Sequence, residues 1–118
     1  VAATETEAGS ATAMWLRHTF TADSPDALSD LLLSVARTDG AVVYLNGREV
    51  FRAGLPDGDV SAETLAIVGV ASDWQSSPQT TLIAPGLLKD GENVLAAAVF
   101  RAQSDTTGLW LDVGLVGL

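Results

Sequence analysis

The sequence predicts an all-β chain, an antiparallel β-sandwich of about eight strands, and three observations carry that prediction. Short runs rich in Val, Ile, Leu, Thr and aromatic residues recur between clusters of Gly, Pro, Asp and Asn. No stretch sustains a helical period of apolar residues. The stretch from Asp39 to Val50 packs a turn signal, Asp39-Gly40, an apolar run from Ala41 to Leu45, a second turn signal, Asn46-Gly47, and a return strand from Glu49 to Phe51 into one short segment. Asn-Gly suits a two-residue type I′ turn, in which both central residues take positive φ. Val42, Val43, Tyr44 and Leu45 leave few polar side chains for a solvated face, so this hairpin is expected mid-sheet.

The chain has 118 residues, enough for one domain with a core of its own. It has no cysteine, which excludes disulfides, thiolate metal sites and a cysteine nucleophile. Fifteen acidic against six basic residues give a formal charge of −9, which disfavours nucleic acid and anionic membrane as partners. That acidity reads first as solubility in a salty or extracellular medium and second as recruitment of Ca²⁺ or a cationic partner. No apolar run reaches the ~18 residues that a membrane-spanning helix needs. Val1 to Ala13 is made of small residues, Thr and Glu, and is expected to be a flexible linker or a processed N-terminus, leaving 14–118 as the sandwich domain. The chain is accordingly expected to be a module of a larger protein or a matured secreted, extracellular protein.

Trp15 to Thr21 alternates in period two, with Trp15, Arg17, Thr19 and Thr21 opposing Leu16, His18 and Phe20, as a strand does. Pro25 to Ser29 reads as a single helical turn with Ser24 at its N-cap and Pro25 at its first position. Leu31 to Thr38 is the next strand. After the hairpin, Ala53 to Asp59 is a loop, Val60 to Val70 is mixed in pattern, and Ala71 to Gln79 is a polar loop with one large aromatic. Thr80 to Ala84 is a short strand, Pro85 to Gly91 a connection anchored by Leu87 and Leu88, and Asn93 to Ala102 and Leu109 to Leu118 are the last strands.

Asp39-Gly40, the strand that follows, Asn46-Gly47, and then Gly91-Glu-Asn-Val-Leu-Ala-Ala-Ala-Val99 resemble paired motifs of galactose-binding-like jelly rolls. The sugar-binding-like domains of β-galactosidases and β-glucuronidases are of this kind. Trp15 to Phe20 is similar to the opening strand of accessory modules in bacterial secreted phosphoesterases, and spaced pieces of the pattern cover most of Trp15 to Leu115. The resemblance implies a non-catalytic jelly-roll sandwich that in some members binds carbohydrate and in others braces a neighbouring domain. It transfers no binding site, because members use different faces and loops.

Aromatic rings are where sugar binding is sought, since a flat apolar face stacks on a pyranose while polar neighbours read its hydroxyls. Trp74, with Asp73 and Gln75 beside it, is the first candidate, the alternative being a loop tryptophan folded back over the core. Trp110 and Phe100 fall on strand faces opposite the apolar ones, Phe100 with Ala96 and Ala98, which offers a shallow platform bordered by Arg101 and Asp112; burial beneath a loop or a neighbouring domain is the competing reading. Trp15 and Tyr44 read as packing residues, and His18, the one histidine, as a core-edge residue with no second ligand to make a transition-metal site. A structural calcium ion is the metal the sequence points to, at Asp57 and Asp59 around Gly58, although the other ligands of a calcium loop are missing. No nucleophile or spaced carboxylate pair marks an enzyme. Two functions follow as expectations: a carbohydrate-binding accessory module, or a structural domain that packs on a neighbour or on copies of itself through Phe100, Trp110 and the C-terminal strand.

Overall fold

The computed structural model describes residues 2–8, 13–37, 39–60, 64, 66, 78–101 and 109–118, with the first segment and residues 109 and 110 described through the backbone alone. Eight strands run through these residues: β1 (Ala2–Ala8), β2 (Ala13–Ala22), β3 (Leu31–Arg37), β4 (Gly40–Leu45), β5 (Arg48–Ala53), β6 (Gln79–Ile83), β7 (Gly91–Phe100) and β8 (Leu109–Gly117). They form two four-stranded sheets, sheet I in the order β1-β8-β3-β6 and sheet II in the order β2-β7-β4-β5.

Every pairing is antiparallel, and the pairs nest: β4 with β5, β3 with β6, β2 with β7, β1 with β8. The chain is therefore one long ribbon doubled back at Asn46-Gly47, with successive segments laid alternately into sheet II and sheet I. Pairing of β8 with β3 and of β7 with β4 joins these pairs into the two four-stranded sheets. This winding is a jelly roll.

The turn at the centre of the roll has the expected geometry, with Asn46 at φ 51° and Gly47 at φ 82°. Its side chain also does something sequence pattern alone does not reveal. Asn46 Nδ2 donates to the Leu87 carbonyl (2.9 Å) and to Asn93 Oδ1 (2.8 Å), while Asn46 Oδ1 accepts the Val94 N–H (2.9 Å). Asn93 is fully buried, accepts the Lys89 N–H at 2.7 Å and donates to the Lys89 and Gly91 carbonyls. The two turn motifs are thus one hydrogen-bonded unit that satisfies its own buried polar atoms.

The core follows from alternation. Leu31, Leu33 and Val35 of β3 and Leu111, Val113 and Leu115 of β8 face Ala41, Val43 and Leu45 of β4 and Leu95, Ala97 and Val99 of β7, all of them buried. Each such Val or Leu contributes roughly 1.5–3 kcal/mol by leaving water. Met14, Leu16 and Phe20 extend the core under β2, and Leu87 and Leu88 close it as partly buried side chains. His18 lies half-buried on the same inner face, opposite Leu95 in register. At the corner where the chain passes from sheet I to sheet II, Arg37 lies over the Phe51 ring at 5.8 Å. Burial lowers the pKa of its guanidinium, against the charge of Asp39, which raises it.

Three expectations are corrected. Of the hairpin expected mid-sheet, β4 lies between β7 and β5, but β5 is an edge of sheet II, where Arg48, Glu49 and Arg52 supply the polar side chains that the apolar run of β4 lacks. The stretch expected to be a linker holds β1, which runs antiparallel along β8 from Ala2 opposite Leu115 to Ala8 opposite Leu109. Its composition hides a Thr-Glu-Thr-Glu alternation, and glutamates suit an edge strand that must not recruit others. The turn after β2 is a 3-10 turn, Pro25–Ala27, with Pro25 at its start, but Ser24 makes no side-chain cap. A capping serine needs extended backbone, and Ser24 is left-handed at φ 51°, its N–H donating instead to Asp90 Oδ1 at 3.3 Å.

Candidate functional site

Sheet II has a second apolar layer on its outward face. Val42, Ala98 and Phe100 are buried there beneath Leu55 and Ala66 of the segment that follows β5, with Tyr44 and Val60 packed at the margin. The cover is tied down at two points. Arg52 pairs with Glu49 at 2.8 Å and donates to the Pro56 (2.7 Å) and Gly58 (3.0 Å) carbonyls, and the Ala66 N–H donates to the Arg101 carbonyl at 3.0 Å. The hydrogen bond to Glu49 holds the Arg52 pKa further above its ordinary value. Gly40 explains how the cover comes so close: a Cβ there would stand 2.7 Å from Leu55 Cδ2 and 2.8 Å from the Gly54 carbonyl oxygen.

Among the described residues Ala13 is the part of β2 that packs against this layer, and further along the strand Trp15 stands out of it. Register places Trp15, Ala98, Val42 and Arg52 in one row across the sheet and Arg17, Ala96, Tyr44 and Glu49 in the next. Trp15 is 53% exposed, and its ring meets that of Phe100 edge to face at 5.6 Å and 87°. A buried ring thus braces an indole that is half exposed to water. Beside it on the same strand face, Arg17 and Thr19 are exposed, and Arg17 makes no ion pair or hydrogen bond with the described residues. The alanines of β7 keep the floor next to the indole low.

The residues picked out by sequence fare differently. Trp74, Asp73 and Gln75 lie outside the described residues. Of Trp110 the backbone alone is described, in β8 opposite Glu7. Phe100 points outward with Ala96 and Ala98 as expected, yet it is fully buried and offers no surface to a ligand, because Leu55 and Ala66 cover it. Arg101 is half-buried just beyond β7. Asp57 and Asp59 are exposed, and the carbonyl between them, that of Gly58, accepts from Arg52, so a guanidinium already supplies positive charge to this loop. Among the described residues no three His, Asp or Glu side chains converge as a metal-binding group.

Trp15, read from sequence as packing, is the large aromatic exposed to solvent among the described residues. The signal was its company: its face carries Arg17, Thr19 and Thr21, while the other carries Leu16 and Phe20, and the more polar face of an edge strand looks outward. Elsewhere, a cavity of about 230 Å³ between the sheets is lined by Phe20, Leu28, Leu31, Leu88 and Leu115, with Thr21 and Asp23. Its walls are mainly apolar, with Thr21 and Asp23 as the polar side chains, fewer than the several convergent polar groups that orient a sugar.

Fold and site together define the chain as a jelly-roll β-sandwich that presents a braced tryptophan on one open sheet face. Comparison with family models, with curated proteins and with solved structures finds no match to this chain.

Proposed function

We propose that the chain is a non-catalytic accessory module of a secreted protein, of the galactose-binding-like jelly-roll kind, that binds carbohydrate on the outward face of sheet II with Trp15 as its stacking platform. One observation carries the reading: Trp15 is 53% exposed while its ring packs edge to face on the buried ring of Phe100. An indole supported in this way stacks on the C–H face of a pyranose and loses less rotamer freedom on binding than an unsupported one. Arg17, Thr19 and the Tyr44 hydroxyl are the polar groups nearest in register for reading sugar hydroxyls. The formal charge of −9 makes a neutral glycan the compatible class, since a polyanion is repelled.

Affinity electrophoresis against neutral polysaccharides tests this. Retardation of the native chain that disappears in Trp15→Ala, with the circular dichroism spectrum unchanged, is the expected result. Retardation that survives in Trp15→Ala but is lost in Trp74→Ala moves the site to the loop and refutes the Trp15 platform. No retardation on any polysaccharide refutes the carbohydrate reading.

A further inference from the structure

We infer that β6 is a pairing edge for a second copy of this chain, so that two sheets I join across a two-fold axis. The inference stands apart from the carbohydrate reading, because it concerns the other sheet.

Among the described residues the sandwich has four edge strands, β1 and β6 in sheet I and β2 and β5 in sheet II. Three of them carry the charges that keep an edge strand from recruiting another chain: Glu5 and Glu7 in β1, Arg17 in β2, and Arg48, Glu49 and Arg52 in β5. The fourth, Gln79-Thr-Thr-Leu-Ile83, carries none, and it is rich in β-branched residues. Its outward side chain Leu82 is 58% exposed. In register, Leu82 lies beside Leu32 of β3, which lies beside Val116 of β8, itself 44% exposed. An aliphatic row therefore runs from the middle of sheet I to an uncharged edge, where it ends in water.

A second copy is the occupant this edge fits. Antiparallel pairing of a strand with itself is what a two-fold axis generates, and it places no like charges opposite one another here. Pro78 and Pro85 flank the strand and its following alanine, and because proline has no N–H they confine the pairing to the segment between them. Centred on Thr81, such a pair sets Thr80 of one copy against Leu82 of the other, which covers the exposed end of the aliphatic row from both sides. The net charge of −9 opposes association at long range, so the pair is expected to tighten as salt screens it.

Sedimentation equilibrium of the whole chain, taken from micromolar to millimolar concentration in low and high salt, is the test. The expected result is a weight-average mass that climbs towards twice the chain mass, more so in high salt, with amide exchange in Gln79–Ile83 slowing as the mass rises. Leu82→Lys is expected to stay at the monomer mass throughout with an unchanged melting temperature, and Trp15→Ala to associate like the native chain. A native chain that remains monomeric at millimolar concentration in high salt overturns the inference. So does a Leu82→Lys variant that associates as the native chain does, or association without slowed exchange in β6.

Discussion

Sheet II hides most of its outward apolar side chains under a segment of its own chain, whereas sheet I leaves an aliphatic row in water. Val42, Ala98 and Phe100 are covered by Leu55 and Ala66, and what stays open is an aromatic ring among polar side chains. Leu32, Leu82 and Val116 form a row on the other sheet, and Leu82 and Val116 are open to solvent. The two proposals rest on this difference: the sugar is assigned to the ring amid polar groups, and the second copy to the uncharged edge with aliphatic side chains.

The contrast can be broken at four positions, in descending order of effect on stability. Phe100→Ala empties the covered layer and is expected to cost about 3–5 kcal/mol in urea unfolding, the range for a buried aromatic; a cost near zero would mean that the cover does not pack. Gly40→Ala pushes a methyl into Leu55 and the Gly54 carbonyl and is expected to cost about 1–3 kcal/mol, read from the same transition. Trp15→Ala loses one edge-to-face contact, is expected to cost about 1 kcal/mol in the same transition, and on the proposed function abolishes glycan retention. Leu82→Lys changes an exposed side chain and is expected to shift stability by less than about 0.5 kcal/mol, while removing self-association. Were Leu82→Lys to cost as much as Phe100→Ala, the aliphatic row would be covered within one chain and the difference between the faces would vanish.

Much of this was legible in residue order. The Asn46-Gly47 turn, the alternation of Leu31, Leu33 and Val35, and the apolar return of Leu111, Val113 and Leu115 all declare themselves locally, because turn φ angles and the period of two are properties of neighbouring residues. The glutamate-threonine alternation of β1 was also present, but a composition typical of linkers outweighed it. That stretch becomes a strand only because β8 offers it an edge.

What the sequence determined alone was an all-β sandwich with a type I′ hairpin at its centre and the identity of its inward faces. The tertiary structure decided the rest. It joined Asn46 to Asn93 at 2.8 Å, brought Leu55 and Ala66 over Phe100, and left Trp15 half exposed. Alternation says which side chains share a face; whether that face meets water depends on segments far away in the chain, whose path no local pattern encodes. Two outward aromatics of similar local character, Trp15 and Phe100, therefore end as a solvent-facing ring and the buried wall that holds it.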